Sequence, residues 1–175
     1  MISQKTAEHK LKLAEVLDLL VSDGMVNQAD ADALVAERRL HRQDAHPLVV
    51  IAEKSWKSQI PPNRIMNLEG LTEWLAKKVG MEYFHIDPLK IDFSNLTDLM
   101  SIDYANRFGI MPIRIEGNDL LVATSEPFLR DWENTLKHTS RKNIRRVVSS
   151  PTDINRYLVE FYNLARSVKS ATKTT

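Results

Sequence analysis

The sequence predicts an α+β protein in two parts, and three observations carry that prediction. Apolar residues recur at three- and four-residue steps through most of residues 1–64, the mark of amphipathic helices. Two β-rich runs, 110–115 and 120–124, flank Glu116-Gly117-Asn118-Asp119. That is hairpin chemistry, because Gly and Asn tolerate positive φ. Beyond residue 65, helical periods alternate with short β-rich runs. The expected organisation is an N-terminal helical subdomain over 1–64, then a small sheet of about four short strands covered by helices over 65–168.

Each element has its own warrant. Residues 4–22 read as a helix with Leu13, Val16, Leu17, Leu20 and Val21 on one face and Gly24 as its breaker. Asn27 suits an N-cap, and Asp30 sits where an acid favours a helix start, so a second helix is expected over 28–42. In 44–56, Pro47 fits a first helical turn, while Leu48-Val-Val-Ile51 also suits a short strand; helix is the preferred reading. Pro61 and Pro62 then break either ladder.

Asn67 caps a further helix through Leu68, Leu71, Trp74, Leu75 and Val79, closed by Gly80. MEYFHI at 81–86 reads as a strand. One or two short helices are expected over 94–107, and another over 127–138, with Phe128, Leu129, Trp132 and Leu136 on one side. IRRVVSS at 144–150 reads as a strand, and Pro151 opens the last helix. Its apolar face runs through Tyr157, Leu158, Phe161, Leu164 and Val168, and the chain then turns polar.

Composition narrows the function. The chain has 175 residues, 43% hydrophobic and 27% charged, with a net charge of +1. No global field argues for nucleic acid or a membrane surface, so any such case must be local. With no cysteine there are no disulfides, thiolate metal sites or Cys nucleophile. No apolar run approaches the roughly 20 residues that cross a bilayer. The charged N-terminus lacks the apolar core of a signal peptide. The expected location is the cytoplasm.

The chemical motifs are mostly absent. The five glycines stand at 24, 70, 80, 109 and 117. None has the spacing of a phosphate loop, a dinucleotide fingerprint or a nucleophile elbow. His9, His41, His46, His85 and His138 form no i,i+4 zinc pair. Asp30 and Asp32 alternate as in a calcium loop but lack its turn Gly and later ligands, so they read as a helix start. His85 lies near Asp87 with no nucleophile tied to it and reads as structural. Trp74 and Trp132 have core spacing, Trp56 stays open, and Met100 and Met111 read as packing residues.

One basic run stands out, with Lys137, Arg141, Lys142, Arg145 and Arg146, and His138 beside them. Its functional reading is a phosphate, nucleotide or acidic-protein site. Its structural reading is a solvated turn at a helix C-terminus, where cations oppose the dipole. Arg38, Arg39, His41 and Arg42 end the second helix in the same way.

Several stretches resemble a known family. GMEYFHIDPLKID at 80–92, YANRFGIMPIRIEGNDLLVATSEP at 104–127 and RRVVSSPTDINRYL at 145–158 are similar to segments of the N-terminal domain of secretion ATPases. These motors assemble type II secretion systems and type IV pili. EFYNLARSVK resembles the helix that leads toward their motor core. The resemblance implies a non-catalytic docking and regulatory domain, without a cofactor of its own. ATP and Mg would belong to the motor core, and residues 169–175 would be the linker to it. The implied partners are that core and the cytoplasmic part of an inner-membrane platform, so membrane association would be peripheral. No nucleic acid is expected.

Some family members bind cyclic di-GMP through an Arg-Leu-Gly motif. Counted back from Gly24, those positions hold Glu15, Val16 and Leu17. An acid replaces the phosphate-binding cation, so no tight cyclic di-GMP site is expected there. The alternatives are a cyclic di-GMP receptor that uses the basic run instead, and a stand-alone nucleic-acid-binding adaptor.

Overall fold

A computed structural model describes residues 7–41, 44–92 and 96–173. It is α+β, as the sequence predicts, with seven α-helices and a three-stranded sheet among the described residues. The chain divides into two compact units, Lys10–Thr72 and a larger one of Glu73–Thr175 together with residues 7–9. No helix is long and apolar enough to cross a membrane, among the described residues.

The first unit is built on α1 (Leu13–Ser22), α2 (Gln28–Leu40) and α3 (Pro47–Glu53). α1 packs on both of the others. It buries Val16, Leu17 and Leu20, which meet a core that includes Ala31 and Leu34 of α2 and Leu48, Val50 and Ile51 of α3. Gly24 closes α1 at φ 74°, and its amide donates to the Val21 carbonyl. Asn27 caps α2 as expected, its Oδ1 accepting from the Asp30 amide at 2.7 Å. His46 Nδ1 accepts from the Leu48 amide to start α3, which settles 47–53 as helix. The prolines at 61 and 62 sit in a tight reversal, spanned by an antiparallel bridge from Lys57 to Ile65. Asn67 Oδ1 accepts from the Gly70 amide and starts α4 (Leu68–Lys78), inside which the unit boundary falls.

In the second unit, α5 (Ile102–Phe108) leads into β1 (Ile110–Glu116) and β2 (Asp119–Thr124). α6 (Trp132–Ser140) then crosses to β3 (Asn143–Val148), and α7 (Pro151–Thr172) closes the described chain. The strand order is β1-β2-β3. β1 and β2 are antiparallel around a two-residue turn, with Gly117 at φ 60°. β2 and β3 are parallel, from Asp119 opposite Asn143 to Thr124 opposite Val148. Leu120 through Thr124 are all buried, and successive strand residues point to opposite faces, so both faces of β2 are covered. Trp132, Ile154, Leu158 and Phe161 join this core, with Met100 and Met111 packed as expected.

Three expectations are corrected. The strand at 81–86 is a single parallel bridge, Tyr83 to Val148, so the sheet has three strands and not four. Its partner is the last residue of β3, after which the chain leaves for α7, so the ladder cannot continue past Tyr83. The helix expected over 4–22 starts at Leu13. Before it, Glu8 accepts from the Arg130 amide at 2.7 Å and His9 stacks on Phe128, contacts that hold 8–9 out of helix. Residues 4–6 and Arg42 lie outside the described residues.

The helix expected over 127–138 begins at Trp132 and ends at Ser140, because the Arg130 amide is spent on Glu8. The expectation of one or two short helices over 94–107 holds in Ile102–Phe108, capped by Ser101, while 93–95 lie outside the described residues. The polar tail over 169–172 is the last turn of α7. Ser170 and Thr172 hydroxyls donate back to the Arg166 and Val168 carbonyls, and Lys169 pairs with Asp98 at 2.7 Å. Residues 174–175 lie outside the described residues.

Candidate functional site

The basic run divides into two chemically different groups. Lys137 lies in the last turn of α6. Its carbonyl accepts the Arg141 amide at 2.9 Å, and Arg141 caps the helix in the left-handed region, at φ 56° and ψ 32°. That conformation favours glycine, since a Cβ there costs roughly 1–2 kcal/mol. Lys142 then reaches across, its Nζ donating to the Gly117 carbonyl at 3.2 Å. The Asn143 amide donates to the Asn118 carbonyl at 2.9 Å. The parallel register thus lays the β1–β2 turn beside the end of α6.

Between them is an open groove of about 310 Å3, lined by Asn118, Lys137, His138, Arg141, Lys142 and Asn143. The lining holds cations, amides and an imidazole, with no carboxylate, no aromatic hydrocarbon ring and no apolar side chain. Such a set can hold an anion.

Arg145 and Arg146 are not part of it. Arg145 bridges Glu82 and Glu116, each at 2.9 Å, and the bond to Glu82 raises its guanidinium above the ordinary value. Glu116 also takes Arg114 Nε at 2.6 Å, and its carboxyl lies below the ordinary range chiefly through that bond. Arg146 points inward, 14% exposed, with Nε 2.8 Å from Glu133 and a second bond to the Pro127 carbonyl. Burial pushes its guanidinium down from the ordinary value, the nearby Arg130 adds to this, and Glu133 opposes it. Arg145 thus ties β3 to β1 and to Glu82, and Arg146 ties β3 to α6.

Sequence reasoning missed Asn118 and Asn143 as lining residues. The turn residue Asn118 is remote in sequence, and only the β2–β3 register brings it to the groove. Other candidates are placed plainly. His85 is exposed, while Asp87 caps the 3-10 turn Pro88–Lys90 by accepting from the Leu89 amide. Trp132 is fully buried, its indole donating to the Leu129 carbonyl; Trp74 and Trp56 are half-buried. On α1, Val16 and Leu17 are 0% and 1% exposed, and Glu15 is half-buried.

Against this geometry, the MshEN domain profile matches residues 79–168, about half of the chain. The chain belongs to the MshEN domain family. It is 35% identical over 161 residues to a type IV pilus assembly ATPase, TfpB, of Acinetobacter baylyi (strain ATCC 33305 / BD413 / ADP1). That alignment covers 91% of this chain and 28% of the relative, so the chain spans just over a quarter of the relative's length. Among solved structures, MshE with cdg superposes at a TM-score of 0.55 with 17% identity, over 87% of this chain and all of that one. This likeness shows the MshEN fold. The N-terminal domain of XpsE gives a TM-score of 0.49 with 13% identity, over 87% and 98% of the two chains.

Proposed function

We propose that this MshEN domain is the non-catalytic N-terminal docking and regulatory part of a type IV pilus or type II secretion assembly ATPase. The observation that carries the reading is the 35% identity, over nearly the whole chain, to just over a quarter of a pilus assembly ATPase. The chain's own glycine spacing supports it, since no phosphate loop can be drawn from the five positions. ATP and Mg then belong to a motor core, which is one partner of this domain. The cytoplasmic part of an inner-membrane platform protein is the other, and the domain works at the membrane only through it. The groove and the exposed faces of α7, where Leu164 and Val168 are about half exposed, are surfaces of the kind such docking uses.

The test is titration of the chain against the platform protein's cytoplasmic part by calorimetry or light scattering. A complex with Kd at or below roughly 0.1 mM is expected. No binding at that concentration refutes platform docking.

The solved structure of MshE with cdg favours one second reading, a cyclic di-GMP receptor. In this chain Val16 and Leu17 are core residues of α1, so the motif positions face packing and not a ligand. The basic groove offers no Phe, Tyr or Trp to stack a guanine, only the His138 imidazole. The expected result of titration with cyclic di-GMP is no binding in the micromolar range. Micromolar binding lost on Lys142→Glu would establish the receptor reading instead.

A further inference from the structure

Acids are not scarce in this chain, which has 24 basic and 23 acidic residues. Arg114, Arg130, Arg145 and Arg146 each find a carboxylate at 2.6–3.0 Å. Among the described residues, Lys137, Arg141 and Lys142 find none, although they converge on one groove. Three positive charges therefore face solvent together, at a place the fold could have neutralised. Arg141 adds a second observation. It holds the left-handed cap that glycine fills at no steric cost, and so keeps a guanidinium on the groove at the expense of the backbone.

We infer that this groove docks an acidic segment of a partner protein. The inference rests on the docking reading above and names the chemistry of its site. The lining decides among anions. Without Phe, Tyr or Trp it has only the His138 imidazole to offer a nucleobase, and without an apolar side chain it has nothing to insert among lipid tails. At about 310 Å3 and open, it is larger than one phosphate needs and admits several side-chain carboxylates. Asn118 and Asn143 supply amide groups that can meet the backbone of an extended peptide. Net charge of only +1 gives the chain no general attraction for polyanions, so the groove must act locally.

The experiment measures fluorescence anisotropy of a labelled oligoglutamate peptide titrated with the whole chain, at low salt and at about 0.15 M. Inorganic pyrophosphate and phosphatidylserine vesicles form separate arms. Arg141→Gly is expected to weaken the peptide about tenfold, one charge-assisted contact, while raising the thermal midpoint by relieving the cap. Lys142→Gln weakens it similarly, and Arg145→Gln, outside the groove, leaves it unchanged. An equal loss in Arg145→Gln would reduce the effect to net charge and overturn the inference. So would pyrophosphate or vesicle binding in the absence of peptide binding. The same variants are titrated against the platform's cytoplasmic part. If that complex forms and ignores Arg141→Gly, docking stands and the groove assignment falls. If oligoglutamate binds through the groove and the platform does not bind at all, platform docking falls and the acidic-segment site stands.

Discussion

Leu17→Gly would put glycine back at the motif position where cyclic di-GMP-binding relatives are expected to carry it. Leu17 is 1% exposed on α1, and α1 packs on both α2 and α3. Truncating a buried leucine to alanine costs about 2.7–5.0 kcal/mol, the spread reflecting how far the site collapses. Going on from alanine to glycine inside a helix adds about 1 kcal/mol of backbone entropy and propensity. The full change should therefore cost about 4–6 kcal/mol, much of the roughly 5–15 kcal/mol that holds a typical domain. Urea unfolding followed by far-UV circular dichroism reads the loss, with Leu17→Ala between wild type and glycine. The alanine-to-glycine step should be about 1 kcal/mol, which separates the backbone effect from the cavity. A total cost below about 2 kcal/mol would refute the placement of Leu17 in the core. So would gain of cyclic di-GMP binding with unchanged stability.

Three further outcomes follow. At Gly109, φ 62°, an added Cβ would lie 3.0 Å from Ser125 Oγ and 3.1 Å from Glu126 Cγ, whereas at Gly24, φ 74°, it would meet nothing within 4 Å. Gly24→Ala should thus cost roughly 1–2 kcal/mol and Gly109→Ala roughly 1–3 kcal/mol more, and equal costs in denaturant unfolding would contradict the close approach. Glu133→Gln strips the counter-charge from the inward-pointing Arg146 and should cost about 1–3 kcal/mol, much of it recovered when Arg146→Met is added; a double mutant worse than the single refutes the assignment. Glu116 has its folded pKa lowered from 4.5 by Arg114, so its stabilisation is present above about 4.5 and is lost as pH falls through the lower folded value. Urea midpoints measured from pH 6 down to about 3 should therefore fall less steeply in Glu116→Gln, and superimposable profiles would show that the pair contributes nothing.

Local chemistry was the legible part. Asn27, Asn67 and Gly24 mark helix ends through bonds to residues three or four positions away, so they work wherever the chain goes. The β1–β2 hairpin was read from Gly117-Asn118 for the same reason. The cation set of the groove was legible in Lys137, Arg141 and Lys142, which are neighbours in sequence. What misled was the continuation of the run. Arg145 and Arg146 have the same composition and pattern, yet one is neutralised by Glu82, 63 positions away, and by Glu116, 29 away, and the other is drawn inward to Glu133.

The sequence by itself determined the α+β class, most helix caps, the hairpin and the absence of a phosphate loop, because each depends on residue type and short spacing. It also carried the family, through the order of segments between 80 and 158. Tertiary structure alone decided that 81–86 contributes one bridge, since the length of a ladder depends on where its partner strand turns away. It alone decided that Glu8 and His9 are held by Arg130 and Phe128 and not by a helix. And it alone chose which cations face a groove and which are spent on carboxylates, because charges are compensated through space and not along the chain.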